Sequence, residues 1–258
     1  GYSNSQMITL QYNPDGELQW VATYNGAEEG LDIGTKLVLD ASSNVYITGY
    51  TKGVGGLGTN RDITTIKYSA EGVQQWAAIY NGPGNASDEG YEIALDELNN
   101  VYVLGYSNAE ESHIQFATIK YNQDGEEVWV NRYYNPETLT GSPNALAVFD
   151  SENIYVTGSN GLGLCVVKIN NAGDTVWTRN YNSGHADQAG TDIITDMDGN
   201  IYVTGWVSDG GSMWTRDYGT LKYSPDGVLL WDIWYQGLGE NRDDALNICL
   251  NNENNVII

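Results

Sequence analysis

Residues 62–82 read DITTIKYSAEGVQQWAAIYNG and residues 92–107 read EIALDELNNVYVLGYS. Apolar and polar positions alternate in short runs, and each run stops at Gly, Asn, Asp or Pro. Thr64–Ser69 alternates, Ala70-Glu71-Gly72 turns the chain, and Val73–Tyr80 runs through Trp76. The loop Asn81-Gly82-Pro83-Gly84-Asn85 leads to a short run, Glu92–Asp96, and a second tight turn leads to Val101–Tyr106. This predicts a unit of four short antiparallel strands. No segment keeps a 3.6-residue apolar period over about ten residues, so few or no helices are expected.

Outward from this stretch the same text returns. The pattern Lys-Tyr-x-x-Asp-Gly-x-x-x-Trp ends, with drift, at Trp20, Trp76, Trp129, Trp177 and Trp231, and Asn-Val-Tyr-Val-Thr-Gly starts at Asn44, Asn100, Asn153, Asn200 and Asn255. A repeat of about fifty residues points to a propeller or a solenoid. Repeats running end to end argue for one domain over residues 1–258.

Each repeat shows its own physics. Turns such as Pro14-Asp15-Gly16 and Pro225-Asp226-Gly227 combine an Asp that folds onto its backbone with a Gly that supplies positive φ. Tyr24, Tyr80, Tyr133, Tyr181 and Tyr235 each follow a Trp by four residues, so Trp and Tyr share a strand face and form a stripe for packing against a neighbouring blade. Four of the six lysines, Lys67, Lys120, Lys168 and Lys222, sit nine residues before the Trp. Their stems are expected to pack on the sheet while the ammonium meets Asp32, Asp88, Asp187 or Asp243.

These residues resemble the SBBP family of β-propeller repeats, carried here by DITTIKYSAEGVQQWAAIYNG (62–82), EIALDELNNVYVLGYS (92–107) and DIITDMDGNIYVTG (192–205). The likeness runs along essentially the whole chain. It departs at Ser142-Pro143-Asn144, where the family has Asp-x-Ala, and at Ala172, which replaces the turn Asp. The resemblance implies an all-β propeller with NHL-like strand order, in which the run before NVYVTG is innermost. Gly1-Tyr2-Ser3-Asn4 matches Gly49-Tyr50-Thr51-Lys52, and Asn255–Ile258 matches the head of the same strand. Five blades are therefore expected, closed by pairing of both termini in one blade. The alternative is part of a larger, seven-bladed propeller.

Composition narrows the function. A net charge of −23 repels phosphate backbones, so no nucleic acid partner is expected. No run approaches the roughly twenty apolar residues of a membrane span. Cys165 and Cys249 are read as small buried apolar residues, not as a disulfide. His113 and His185, the two histidines, lie in loops of different repeats without a nucleophile motif. A glycosidase needs two carboxylates with distinct roles, whereas the acids here recur in register.

Asp196-Met197-Asp198-Gly199-Asn200 places oxygens of Asp196, Asp198 and Asn200 at alternating positions, the opening of a Ca²⁺ loop without its distal Glu. A hairpin capped by Asp and Asn is the competing reading. The connections after NVYVTG vary most, and the one at Val207–Tyr218 carries Trp214, Arg216 and Asp217. With Trp206, these are the candidate ligand-binding residues, the alternative being cover for a blade edge. The expectation is a non-enzymatic scaffold or binding module, extracellular or on the cell surface, that takes a protein or glycan on one propeller rim. It is expected to be a monomeric domain of a larger protein. A lectin-like propeller and, behind it, a glycoside hydrolase are the alternatives.

Overall fold

The computed structural model describes residues 5–27, 30–53, 60–108, 113–182, 184, 188–208, 216–237 and 242–258. Among them every element is a strand. The chain divides into two compact units, Gly1–Arg132 and Tyr133–Ile258.

In the first unit β1 (Met7–Tyr12) and β2 (Leu18–Tyr24) form a two-stranded sheet. A four-stranded sheet follows in sequence order: β3 (Ile33–Leu39), β4 (Val45–Lys52), β5 (Arg61–Tyr68) and β6 (Gln74–Tyr80). The next has the same order: β7 (Asp88–Leu95), β8 (Val101–Asn108), β9 (Ile114–Tyr121) and β10 (Glu127–Tyr133). The second unit holds two more such sheets. One comprises β11 (Ser142–Asp150), β12 (Asn153–Ser159), β13 (Leu164–Ile169) and β14 (Thr175–Tyr181). The other comprises β15 (Gln188–Thr195), β16 (Ile201–Ser208), β17 (Arg216–Tyr223) and β18 (Leu229–Tyr235). A last pair joins β19 (Cys249–Leu250) to β20 (Val256–Ile257).

Each four-stranded sheet is blade-like, and its second and third strands are the most buried. The NVYVTG strands β4 and β8 are covered on both faces and read as near-continuous apolar runs. The outermost strands β6 and β10 are half polar and largely exposed. The first strand of a blade packs on the preceding blade: β7 touches β3, β4 and β5, and β15 touches β11, β12 and β13. The cores lie between those faces, around Tyr46, Ile63, Val103 and Ile119 in one unit and Tyr155, Val166, Ile193 and Leu221 in the other.

Every four-stranded sheet carries a β-bulge in its first strand, at Thr35, Tyr91, Asn144 and Thr191. A bulge re-aims a side chain, and three of these four reach the next blade. Thr35 Oγ1 donates to Gly90 O (2.7 Å), Asn144 Nδ2 to Gly190 O (2.7 Å) and Thr191 Oγ1 to Ala245 O (2.6 Å). The departure at Ser142-Pro143-Asn144 therefore keeps the inter-blade bond with an amide in place of a hydroxyl.

The Trp stripe packs between blades as expected, and the contact is specific. Trp20 Nε1 donates to Ala70 O (2.9 Å), Trp76 Nε1 to Gln123 O (2.9 Å) and Trp177 Nε1 to Pro225 O (3.4 Å). In each case the indole lies on the turn glycine of the following repeat, Gly72, Gly125 or Gly227, where a Cβ would strike the ring. Those glycines also hold φ near +80°, at 79°, 82° and 76°.

The lysines behave otherwise than expected. Lys67, Lys120, Lys168 and Lys222 each lie over the Tyr directly opposite on the NVYVTG strand, with Nζ 4.7–5.6 Å from the rings of Tyr46, Tyr102, Tyr155 and Tyr202. The ion pair seen for Lys222 is with Asp196 of its own blade, at 3.6 Å. Asp32, Asp88 and Asp243 instead accept the backbone N–H of the residue six positions earlier, Gly26 (3.0 Å), Gly82 (2.7 Å) and Gly237 (3.1 Å). Lys168 Nζ also donates to Pro225 O in a turn of the following blade (3.2 Å), a backbone carbonyl where a carboxylate was expected. Asp187 lies outside the described residues. Cys165 is buried as expected, whereas Cys249 is exposed on the short strand β19.

Candidate functional site

The two ends of each blade differ. One end is closed by tight turns, the hairpins 13–16, 40–44, 69–72, 96–100, 122–125, 170–173, 196–200 and 224–227. The other end carries the connections that vary in length and composition. This polarity decides where the candidate residues fall.

Asp196, Asp198 and Asn200 lie at the turn end. Asp196 Oδ1 accepts the backbone N–H of Asp198 (3.0 Å) and Asn200 (2.9 Å), while Oδ2 accepts Asn200 Nδ2 (2.9 Å) and Tyr202 OH (3.0 Å). Asp40 and Asp96 make the same four bonds in turns that lack the second acid. The turn conformation thus requires Asp196 and Asn200 but not Asp198. Burial works to raise the Asp196 carboxyl, but the bonds from Asn200, Tyr202 and Asp198 outweigh it and hold it below its ordinary value. The Lys222 ammonium adds a cation at 3.6 Å from Oδ2.

Trp206 and Arg216 come together at the loop end, Asp217 shares that end but lies on the opposite face of the sheet, and Trp214 falls outside the described residues. Trp206 on β16 stands opposite Tyr218 on β17, and Val207 opposite Asp217. The Arg216 guanidinium carbon sits 3.5 Å from the centroid of the Trp206 ring, a stacked cation–π contact. Arg216 Nη1 reaches Asp244 Oδ1 at 3.5 Å, and Asp244 also accepts from Arg242 Nε. Asp243 N donates to Arg216 O (2.7 Å), which ties the segment after the last loop to β17.

Sequence reasoning missed that this node has a counterpart. Tyr50 occupies the register of Trp206, Arg61 that of Arg216, and Glu89 that of Asp244. The Arg61 guanidinium lies 4.7 Å from the Tyr50 centroid and pairs with Glu89, which also accepts from Tyr91 OH (3.2 Å). The signal was present: in both repeats an Arg-Asp pair opens the third strand and an acidic pair, Asp88-Glu89 or Asp243-Asp244, follows the next loop.

An apolar groove of about 780 Å³ in the first unit runs between β1 and β3, lined by Met7, Ile8, Leu10, Ile33, Leu37 and Ile47 among others. Asp32 supplies the single carboxylate of its lining.

Four-stranded blades, inter-blade indoles and one variable end define a repeat protein of the β-propeller type. The SBBP beta-propeller repeat matches residues 19–56 and 75–110, which carry the first two indole strands and the NVYVTG strands that follow them. An uncharacterized WD repeat-containing protein of Acanthamoeba polyphaga mimivirus is 24% identical over 98% of this chain. The chain spans about a quarter of that relative's length (26%). Among solved structures, a protein from Lactobacillus plantarum is 13% identical with a TM-score of 0.58, covering 97% of this chain and 74% of its own. A gluconolactonase from Xanthomonas campestris is 14% identical with a TM-score of 0.50, covering 95% of this chain and 72% of its own. Both likenesses concern the fold.

Proposed function

We propose that the protein is a non-enzymatic binding module, extracellular or on the cell surface, which takes a protein or glycan partner on the loop end of its blades. The observation that carries this reading is the polarity of the blades. Near-identical turns close one end, while Trp206, Arg216 and Asp244 gather at the other beside a long connection. On a repeat scaffold, binding residues concentrate where the repeats differ. We further propose five blades, with β1–β2 and β19–β20 as the two halves of one blade.

The test has two arms. Aryl glycosides and aldonolactones incubated with the full chain should show no turnover above buffer, and sustained turnover of any of them would sink the non-enzymatic reading. Protease shaving of intact producing cells should release its peptides, and protection of the protein in unbroken cells would sink the surface location.

A further inference from the structure

The dipeptide Asn-Gly occurs three times in the chain, at Asn25-Gly26, Asn81-Gly82 and Asn160-Gly161. Asparagine is a thermolabile residue. A following glycine, without a Cβ, leaves its backbone nitrogen open to the side-chain amide carbon of the residue before it. Attack of that nitrogen on Cγ forms a C–N bond and breaks the Cγ–Nδ2 bond, and ammonia leaves with the backbone amide proton. Water then opens the cyclic imide at either carbonyl, giving aspartate or isoaspartate without oxidant or reductant. Hydrogen bonds that hold the reacting groups in other geometries must break first, so restraint by the fold sets the rate.

The three links are restrained unequally. Asn160 is fully buried, its Nδ2 donates to Tyr133 OH (2.9 Å) and Asn180 Oδ1 (2.7 Å), and its Oδ1 accepts the Leu162 N–H (3.2 Å). Asn81 is exposed, but its Nδ2 donates to Asn85 Oδ1 (2.9 Å). The Gly82 N–H is held by Asp88 Oδ2 (2.7 Å), with both residues buried. Asn25 is exposed, and its side chain makes no hydrogen bond among the described residues. The Gly26 N–H, half-buried, donates to Asp32 Oδ2 at the longer distance of 3.0 Å. Gly26 sits in a close-fitting seat between β2 and β3, where a Cβ would lie 3.0 Å from Thr51 Cβ and 3.2 Å from Asp32 Oδ1. Isoaspartate at position 25 would route the main chain through Cβ and Cγ, adding one carbon before that seat, and would bring a second carboxylate near the buried Asp32. Both changes draw the Gly26 N–H away from Asp32 Oδ2, while Asp32 Oδ1 already lacks a partner.

We propose that Asn25-Gly26 is a self-modifying link, which converts to isoaspartate in the folded protein while Asn81-Gly82 and Asn160-Gly161 are preserved. Conversion releases Gly26 from Asp32 and loosens the entry to β3. The proposal is independent of what the protein binds.

Each link falls in its own tryptic peptide, Gly1–Lys36, Tyr68–Lys120 or Tyr133–Lys168. The full chain is held for days in mildly alkaline buffer near body temperature, and isoaspartate is located by fragmentation mass spectrometry and counted by methyltransferase labelling. It should form at Asn25 about tenfold faster than at Asn81 or Asn160. In guanidinium, where the fold restrains none of them, the three links should convert at similar rates. Asn25→Gln should remove the label from Gly1–Lys36 with Tm preserved. Asn85→Gly suits the positive φ of that position (43°) and deletes the acceptor of Asn81 Nδ2, so conversion at Asn81 should rise about tenfold. Asn25→Asp carries the new charge without the added carbon and should melt above the aged wild type. The proposal is overturned if Asn25 stays intact in the folded protein, if Asn81 or Asn160 converts as fast, or if the aged protein melts with Asn25→Asp.

Discussion

Asp196 shows how one carboxylate organises a turn. Its two oxygens accept four hydrogen bonds, and the net effect is a carboxyl held below its ordinary value. A depressed carboxyl contributes stability that is complete above its unfolded value of about 3.8 and is lost as pH falls through the lower folded value. Asp196→Asn turns Oδ2 into a donor facing Asn200 Nδ2, Tyr202 OH and Lys222, at a cost of about 1–2 kcal/mol. Its melting deficit against the wild type should be constant from pH 7 to 5 and close below pH 3.8. A deficit that persists unchanged in acid would show that the charge does not matter. Millimolar calcium should leave the wild-type Tm in place, because both Asp196 oxygens are already engaged in four hydrogen bonds, and a rise of several degrees would assign an ion to this turn. Asp88 has the opposite sign. Burial raises its carboxyl, and the charge of Asp62 adds to this against the bonds from Ser107, Gly82 and Asn108. Ionisation therefore costs stability progressively as pH climbs from 3.8 to the raised folded value. Asp88→Asn keeps an acceptor for the Gly82 N–H and removes that cost, so its Tm relative to wild type should be higher at pH 7 than at pH 3.5. An equal difference at both pH values would rule this out.

At the scale of the element, the hairpins after β5, β9 and β17 are also the seats for the indoles of the preceding repeat. Gly125 holds φ +82° and lies against Trp76, so Gly125→Ala adds a strained backbone and a methyl group aimed into the ring. A loss of about 2–3 kcal/mol is expected, read as a lower denaturation midpoint at unchanged m-value. Asp124→Ala in the same turn is the contrast. The Asp124 backbone N–H meets Asn122 Oδ1 (3.0 Å) whatever its side chain, so the loss there should be a few tenths of a kcal/mol. The two variants losing equal stability would refute the seat. Turns and indole strands were legible in the sequence because both are local: Asp-Gly and a period of two write themselves into adjacent letters. The first strands were less so. Asp88-Glu89-Gly90 reads as turn punctuation, yet β7 begins at Asp88. Gly90 is held there by the close approach of Thr48 and Gly49 from the preceding blade, a contact with no local trace. The lysine partner was misjudged for a similar reason. The cross-strand Tyr lies 13 to 21 residues away, and only the register puts it beneath the ammonium. Of the candidate site, Trp206 and Arg216 were recognisable by their rarity, but Asp244 and Tyr218 become partners only through strand pairing.

For the whole molecule, the fifty-residue period gives blades but leaves open how they close, because closure depends on a pairing that no repeat contains. The half-sheets β1–β2 and β19–β20 pose the question directly. Strands without neighbours expose unpaired N–H and C=O groups, and β1 borders an apolar groove. Completion of one blade from both halves would cover that edge and link the unit Gly1–Arg132 to the unit Tyr133–Ile258. In a chain of repeats, stability spreads through nearest-neighbour interfaces, so a closed ring should melt as one body. Scanning calorimetry should then give a single transition with equal calorimetric and van't Hoff enthalpies. Ile257→Pro sharpens the measurement, since it removes a strand N–H from β20. In a closed ring the whole transition shifts down together. In an open arrangement two transitions appear, and the substitution moves only that of Tyr133–Ile258. That second result would defeat five-blade closure and favour a larger propeller that draws its remaining strands from outside these residues.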